Sequence, residues 1–423
     1  MDDYQALWES LGLNLNRHDQ LLAALGSMYG EIFATQPNRP QAMSYYDYVV
    51  SEIHGLRIKE LADHRQQGGK VVGTFCVYVP DEVIQAAGAI GVGLCAGSQF
   101  WVPDGEKYLP RNLCPLIKAV VGAKTSHTCP YFESADLVVG ETTCDGKKKC
   151  WEILNEFAPV HVINLPHMKR AQDVSAWAEE ISAFIGKMED LTGNKVTAEI
   201  LAEKIELINE RRAVLERLYA ARKASPVPIS GKDCLLVTQL AFFDDPRRFV
   251  AKASALCDEL ERRIAESSGV FQPDAPRIMI AGTPQVIPNW QLHHIIETAG
   301  AVVVCEETCT GTRYFENPVS PAGPGLDEQI EALAERYLNI NCACFTPNDA
   351  RIDDVLRLAS EYRADGVIYY NLQFCHSYNV EYRKIEKALK DAGIPVMMVE
   401  TDYSGNDEEQ VRTRVEAFLE MLR

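Results

Sequence analysis

Thirteen cysteines punctuate this 423-residue chain, and most of them stand at one kind of place. Cys76 ends Val71-Val72-Gly73-Thr74-Phe75-Cys76, a run that reads as a buried strand, and Cys95 ends the next, Ala89-Ile90-Gly91-Val92-Gly93-Leu94. Cys144 follows Asp136-Leu137-Val138-Val139-Gly140, while Cys114 and Cys129 precede Pro115 and Pro130 at expected helix starts. The second half repeats the habit. Cys309 follows Ala301-Val302-Val303-Val304, Cys342 and Cys344 follow Tyr337-Leu338-Asn339-Ile340, and Cys375 follows Gly366-Val367-Ile368-Tyr369-Tyr370. Helix N-termini at strand ends stabilise thiolate over thiol, and thiolates are soft ligands for zinc, copper(I) or iron–sulfur. Inert core cysteines would fall mid-strand as often as at strand ends. Cys234, Cys257 and Cys305 read that way, and Cys150 lies one helical stretch beyond Cys144.

Spacing narrows the chemistry. Structural zinc sites show local C-x2–4-C pairs; Cys305 and Cys309 are the nearest approach, with no second pair beside them. The close-spaced ferredoxin run is absent too. Dispersed ligands drawn from two halves of a chain suit a cluster held between lobes better than a local zinc clip.

The elements that must position these thiols alternate. Short apolar runs bounded by turn signals, the five above with Val160–Asn164, Arg277–Gly282 and Pro395–Glu400, are separated by amphipathic stretches such as Asp81–Ala87, which starts after Pro80. Fully apolar strands of this kind suit a parallel sheet covered on both faces. In such a sheet ligands bind beyond the carboxyl ends of the strands. The expected fold is α/β: two doubly wound, Rossmann-like lobes with parallel sheets, plus helical layers. Residues 1–65 are expected to form a helical N-terminal segment, with Leu21, Leu22, Leu25 and Met28 at helical spacing. Residues 66–168 form the first lobe, 169–228 a helical connector, and 229–423 the second lobe.

Composition excludes more than it proposes. A formal charge of −18 argues against a nucleic-acid binder. No stretch approaches a membrane span, and Met1-Asp2-Asp3-Tyr4 carries no apolar leader, so a cytoplasmic location is expected. The chain is too long for a cysteine-dense disulfide scaffold.

The words around the cysteines carry a resemblance. Phe75-Cys76-Val77-Tyr78-Val79-Pro80-Asp81-Glu82, Arg111-Asn112-Leu113-Cys114-Pro115-Leu116-Ile117-Lys118 and Glu141-Thr142-Thr143-Cys144-Asp145-Gly146-Lys147-Lys148-Lys149 resemble successive signatures of the 2-hydroxyacyl-CoA dehydratase / benzoyl-CoA reductase component family. Cys309-Thr310-Gly311-Thr312-Arg313-Tyr314-Phe315, Phe374-Cys375 and Glu400-Thr401-Asp402-Tyr403-Ser404 are similar to its C-terminal ones, so the likeness covers roughly residues 70–420. The resemblance implies an iron–sulfur cluster charged at very low potential by a separate ATP-hydrolysing iron–sulfur activator, with a small-molecule substrate. Two-subunit dehydratases of the family hold one [4Fe–4S] cubane per subunit on three cysteines. The richer thiol set here looks closer to the double-cubane branch, in which six cysteines hold an [8Fe–9S] centre. That implies an oxidoreductase, expected as a homodimer, with Cys76, Cys114, Cys144, Cys309, Cys342 and Cys375 as ligands and Cys344 and Cys129 as alternatives. A dehydratase component with a [4Fe–4S] cluster, and a non-catalytic zinc or cluster scaffold, are the competing readings.

Other residues stand beside these words. His376 and Glu307 are the candidate catalytic groups, with His127, Tyr378 and Arg313 also able to handle protons. Thr142, Thr143, Thr308 and Thr310 either hydrogen-bond cluster sulfur or cap turns. No G-x-x-x-x-G-K-[ST] loop is present, so ATP hydrolysis is expected of a partner. Gly91, Gly93 and Gly97 miss the dinucleotide spacing by one residue. Lys147-Lys148-Lys149 reads first as a solvated helix face and otherwise as a docking patch for the activator.

Overall fold

The computed structural model describes residues 4–94, 96–320 and 323–422. Cys95 lies outside the described residues.

Eight strands form where the apolar runs predicted them. β1 (Val71–Thr74), β2 (Ile90–Gly93), β3 (Leu137–Glu141) and β4 (Val160–Ile163) make one four-stranded sheet in the order β2-β1-β3-β4. β5 (Arg277–Gly282), β6 (Val302–Glu307), β7 (Gly366–Leu372) and β8 (Val396–Thr401) make another in the order β6-β5-β7-β8. Every pairing is parallel. The α/β architecture therefore holds, with the same strand order in both lobes. Each sheet changes winding direction between its two inner strands, β1/β3 and β5/β7. That switch point opens a crevice at the carboxyl ends.

β3, β7 and the edge strand β6 are buried along their whole length, and the apolar runs in them read as covered strands. β6 continues three residues beyond the Val304 expected from sequence, through Cys305, Glu306 and Glu307, after a register shift opposite Ile278/Met279. Both carboxylates are tolerated inside because each is paired. Arg222 grips Glu306 through two hydrogen bonds of 2.9 and 2.7 Å, and His293 adds a third at 2.9 Å. Arg351 reaches Glu307 at 2.8 Å.

Helices tie the lobes together. Helix Met43–Ser51 packs on the fully buried helix Gly231–Leu240, and Arg57 of the N-terminal segment donates to the Phe243 carbonyl at 2.7 Å. The long helices Ala171–Thr192 and Ala198–Ala221 pack on Asp81–Ala86 of the first lobe and on Leu326–Leu338 of the second. The lobes also meet directly. Tyr78 Oη donates to the Ile340 carbonyl at 2.7 Å, and the Gly93 amide donates to the Phe242 carbonyl at 2.7 Å. At Gly97 a Cβ would stand 2.2 Å from the Val286 carbonyl, so this glycine serves close approach of the lobes. No helix among the described residues is long and apolar enough to cross a membrane.

Candidate functional site

A cavity of about 420 Å³ opens between the carboxyl ends of the two sheets. Cys76, Cys114, Cys144, Cys309, Cys342 and Cys375, the six expected ligands, all line it, as do Cys344 and Cys150. Local structure explains why. Cys114, Cys144 and Cys375 are the N-cap residues of helices Pro115–Thr125, Asp145–Leu154 and His376–Asp391, whose N-termini point at the cavity. The Lys147 amide donates to Cys144 Sγ at 3.4 Å, the first-turn bond that a serine would accept at an ordinary N-cap. Phe374 holds φ at 63°, a conformation that costs a non-glycine residue roughly 1–3 kcal/mol. This turn brings the Phe374 ring and Cys375 together onto the wall.

The thiols fall into two groups. Cys375 and Cys114 lie against each other, with Cys144 beside them. Cys309 and Cys344 both lie against Cys342, with Cys76 beside that trio. The first group takes Cys114 and Cys144 from the first lobe and Cys375 from the second. The other takes Cys76 from the first lobe and its remaining thiols from the second. The neighbouring Cys375 lowers the pKa of Cys114, and Cys309 and Cys344 lower that of Cys342. Cys76 and Cys144 are pushed up, chiefly by burial. Among the described residues no three His, Cys, Asp or Glu side chains converge as a single-ion site. The thiols surround a volume instead of a point.

The family whose pattern matches residues 76–422 is described as 2-hydroxyglutaryl-CoA dehydratase, D-component. The chain belongs to this family. It is 39% identical over 375 residues to a protein of Escherichia coli K12 named as a dehydratase subunit, YjiM, covering 88% of this chain and 96% of that one. It is 25% identical to the (R)-phenyllactyl-CoA dehydratase beta subunit of Clostridium sporogenes, over 86% of this chain and 95% of the relative. It is also 21% identical to a benzoyl-CoA reductase subunit of Thauera aromatica, over 84% and 91% of the two chains.

Around the thiols of this D-component family member stand three charged arrangements. Lys147 does not lie on a solvated helix face as its Lys-Lys-Lys setting suggested. Its side chain turns inward to Glu141 beneath the cavity, leaving Lys148 and Lys149 to pair outside with Asp145 and Glu152. Burial opposes the Lys147 charge, yet Glu141 and Cys76 hold its pKa above the ordinary lysine value. On the opposite wall Arg313 donates to Tyr378 Oη, and that hydroxyl lies 3.4 Å from Cys342 Sγ. A guanidinium can only donate, so the phenolic proton is free to point at the sulfur. Glu307 does not line the cavity. It is buried behind Arg313, at 3.4 Å, and Arg351, so it orients Arg313 and does not touch a bound molecule.

His376 lies exposed at the cavity wall beside Cys375. His167, which follows β4 in Asn164-Leu165-Pro166-His167, also lines the cavity, with Nε2 2.7 Å from the Thr142 carbonyl. Sequence reading missed it, although the strand-end rule that found the cysteines applies equally to this histidine. His127 pairs with Glu133 at 3.0 Å and Cys129 is buried in the first lobe; neither reaches the cavity. Thr143 and Thr310 line the cavity, while Thr142 Oγ1 donates to Asn164 Oδ1 at 3.1 Å and Thr308 bonds Thr310 at 3.2 Å. Most of the remaining wall is apolar, including Phe75, Ile117, Trp151 and Phe242.

Proposed function

We propose that this chain is the cluster-bearing component of an ATP-driven, low-potential reductase system, acting as an oxidoreductase on a small molecule. In this reading Cys114, Cys144 and Cys375 hold one half of an [8Fe–9S] double cubane, and Cys76, Cys309 and Cys342 hold the other. The observation that carries it is the division of the cavity thiols into two groups of at least three, each spanning both lobes. A single cubane would use one such group and leave the other idle. Dispersed thiolates, N-capping positions and a dry wall are the donor set that iron–sulfur clusters take. When bound, such a cluster supplies one-electron storage at low potential.

The chain's own residues would do the rest. Lys147 supplies fixed positive charge beside Cys76 and Cys144, Arg313 supplies it beside Cys309 and Cys342, and Tyr378 aims a hydroxyl proton at Cys342. Glu307 keeps Arg313 in place. His376 and His167 hold protons at the cavity wall, within reach of a molecule entering it. The apolar wall excludes bulk water, which strengthens each of these interactions. Electrons would come from an ATP-hydrolysing iron–sulfur activator in the cytoplasm, and the chain would work as a homodimer.

The relatives favour a second reading, since two of the three are named as dehydratase subunits. In that reading one [4Fe–4S] cluster occupies one thiol group, and a second, different polypeptide completes a 2-hydroxyacyl-CoA dehydratase. Iron and acid-labile sulfide per chain, measured on anaerobically purified protein, separate the two. Roughly eight irons per chain support the double cubane, whereas roughly four support the dehydratase component. Zinc alone would overturn both.

A further inference from the structure

Cys76 has a second cavity behind it. This pocket of about 40 Å³ shares Thr74, Cys76 and Phe242 with the larger cavity, so Cys76 is a wall between the two. Its far side is charged, with Arg211, Arg212 and Arg336 facing Asp81 and Asp244. All three arginines are buried, at 4–5% exposure.

The charges do not balance. Arg211 pairs with Asp81 at 2.7 Å and Arg212 with Glu82 at 2.6 Å, while Asp244 is engaged by Arg248 at 2.6 Å. Arg336 has no carboxylate partner among the described residues. Its Nε and Nη2 donate only to the carbonyls of Asn317 at 3.1 Å and Tyr314 at 2.7 Å. Arg336 thus has no carboxylate of its own. Burial, reinforced by Arg212, pulls the Arg336 pKa down to about 10, against a weaker pull from the shared Glu82. Arg211 Nε, although shut off from solvent, has no hydrogen-bond acceptor among the described residues. A buried N–H donor of this kind calls for a partner.

We infer that this pocket binds a small monovalent inorganic anion of about halide size, accepting from Arg211 and neutralising Arg336. Size supports that class. A water occupies roughly 10–15 Å³ of such a cavity, so the pocket takes about three or four waters or one small anion and nothing larger. A coupling follows that rests, unlike the site itself, on the cluster reading. An anion beside Cys76 repels added electrons, so it binds more weakly to the reduced protein. By reciprocity it lowers the midpoint potential through the same factor.

Crystals of the full chain grown in bromide, with anomalous data at the bromine edge, test the site directly. A bromide peak within hydrogen-bond distance of Arg211 Nε is expected, and water alone in the wild-type pocket overturns the proposal. Arg336→Met should abolish the peak, and a peak kept at full occupancy there also overturns it. Should that variant fail to fold, Arg211→Lys keeps the Asp81 pair and removes Nε, and bromide affinity should fall roughly tenfold. The potential should be lower in bromide than in gluconate at equal ionic strength. A peak with no such difference overturns the coupling, while the iron count independently decides the cluster reading.

Discussion

The Cys375 thiol lies against that of Cys114 across the lobe boundary, the N-cap of one helix meeting the N-cap of another. Removing either sulfur should therefore empty one thiol group and spare the other. Cys375→Ala and Cys114→Ala are each expected to lose roughly half of the bound iron on the double-cubane reading. Cys129→Ala and Cys305→Ala, whose sulfurs lie off the cavity wall, should keep it all. Iron analysis of reconstituted protein checks this, and full retention in Cys375→Ala would remove that residue from the ligand set.

Tyr378 offers a finer probe, because its hydroxyl lies 3.4 Å from Cys342 Sγ. Tyr378→Phe keeps the ring and deletes the donor. A hydrogen bond to a ligand sulfur favours the more negative, reduced state, so its loss should move the potential downward, on the order of tens of millivolts. An EPR-monitored redox titration reads the shift. An unchanged potential would mean that the Arg313–Tyr378 pair serves packing alone.

His376 tests the proposed proton handling. His376→Gln should lower turnover by roughly a hundredfold while iron content stays at the wild-type level. A parallel loss of iron would show instead that the residue supports the Cys375 turn.

Away from the cavity, Glu297 makes stability depend on pH. Burial raises its pKa from 4.5 to about 7, against the counter-pull of Lys232 and the Gly231 amide. Between those values the folded protein retains a proton that the unfolded chain has released. The destabilisation is absent below pH 4.5 and grows as pH rises through 7, reaching about 3 kcal/mol. Glu297→Gln still accepts from the Gly231 amide, which lies 2.6 Å from Oε1, but cannot ionise. Urea unfolding at about pH 5 and about pH 8 should show a smaller difference for the variant than for the wild type.

Much of this fold could be read directly from residue pattern. β3 and β7 announce themselves because both of their faces are covered, whereas β6 runs on through Glu306 and Glu307, whose partners Arg222 and Arg351 are distant in the chain. Lys147 misled for a related reason. A lysine triplet looks solvated until Glu141 turns one member inward. The strand-end rule found Cys76, Cys144, Cys309 and Cys375 because it depends on local order alone, whereas Cys342 and Cys344 follow the helix Leu326–Leu338 and Cys150 lies inside the helix Asp145–Leu154. It could not sort them into groups, since which sulfur meets which is decided by how the lobes dock. Cys129 shows the limit: it caps a helix like its neighbours, but helix Pro130–Ser134 faces the interior of its own lobe.

The crossed composition of the thiol groups also fixes an order of biogenesis. Neither group is complete until Cys342 and Cys375 of the second lobe have left the ribosome. A truncated or nascent first lobe would offer Cys76, Cys114 and Cys144 with no partners from the other side. On the proposed cluster reading, cofactor loading would thus wait until both lobes have been made and have closed on each other.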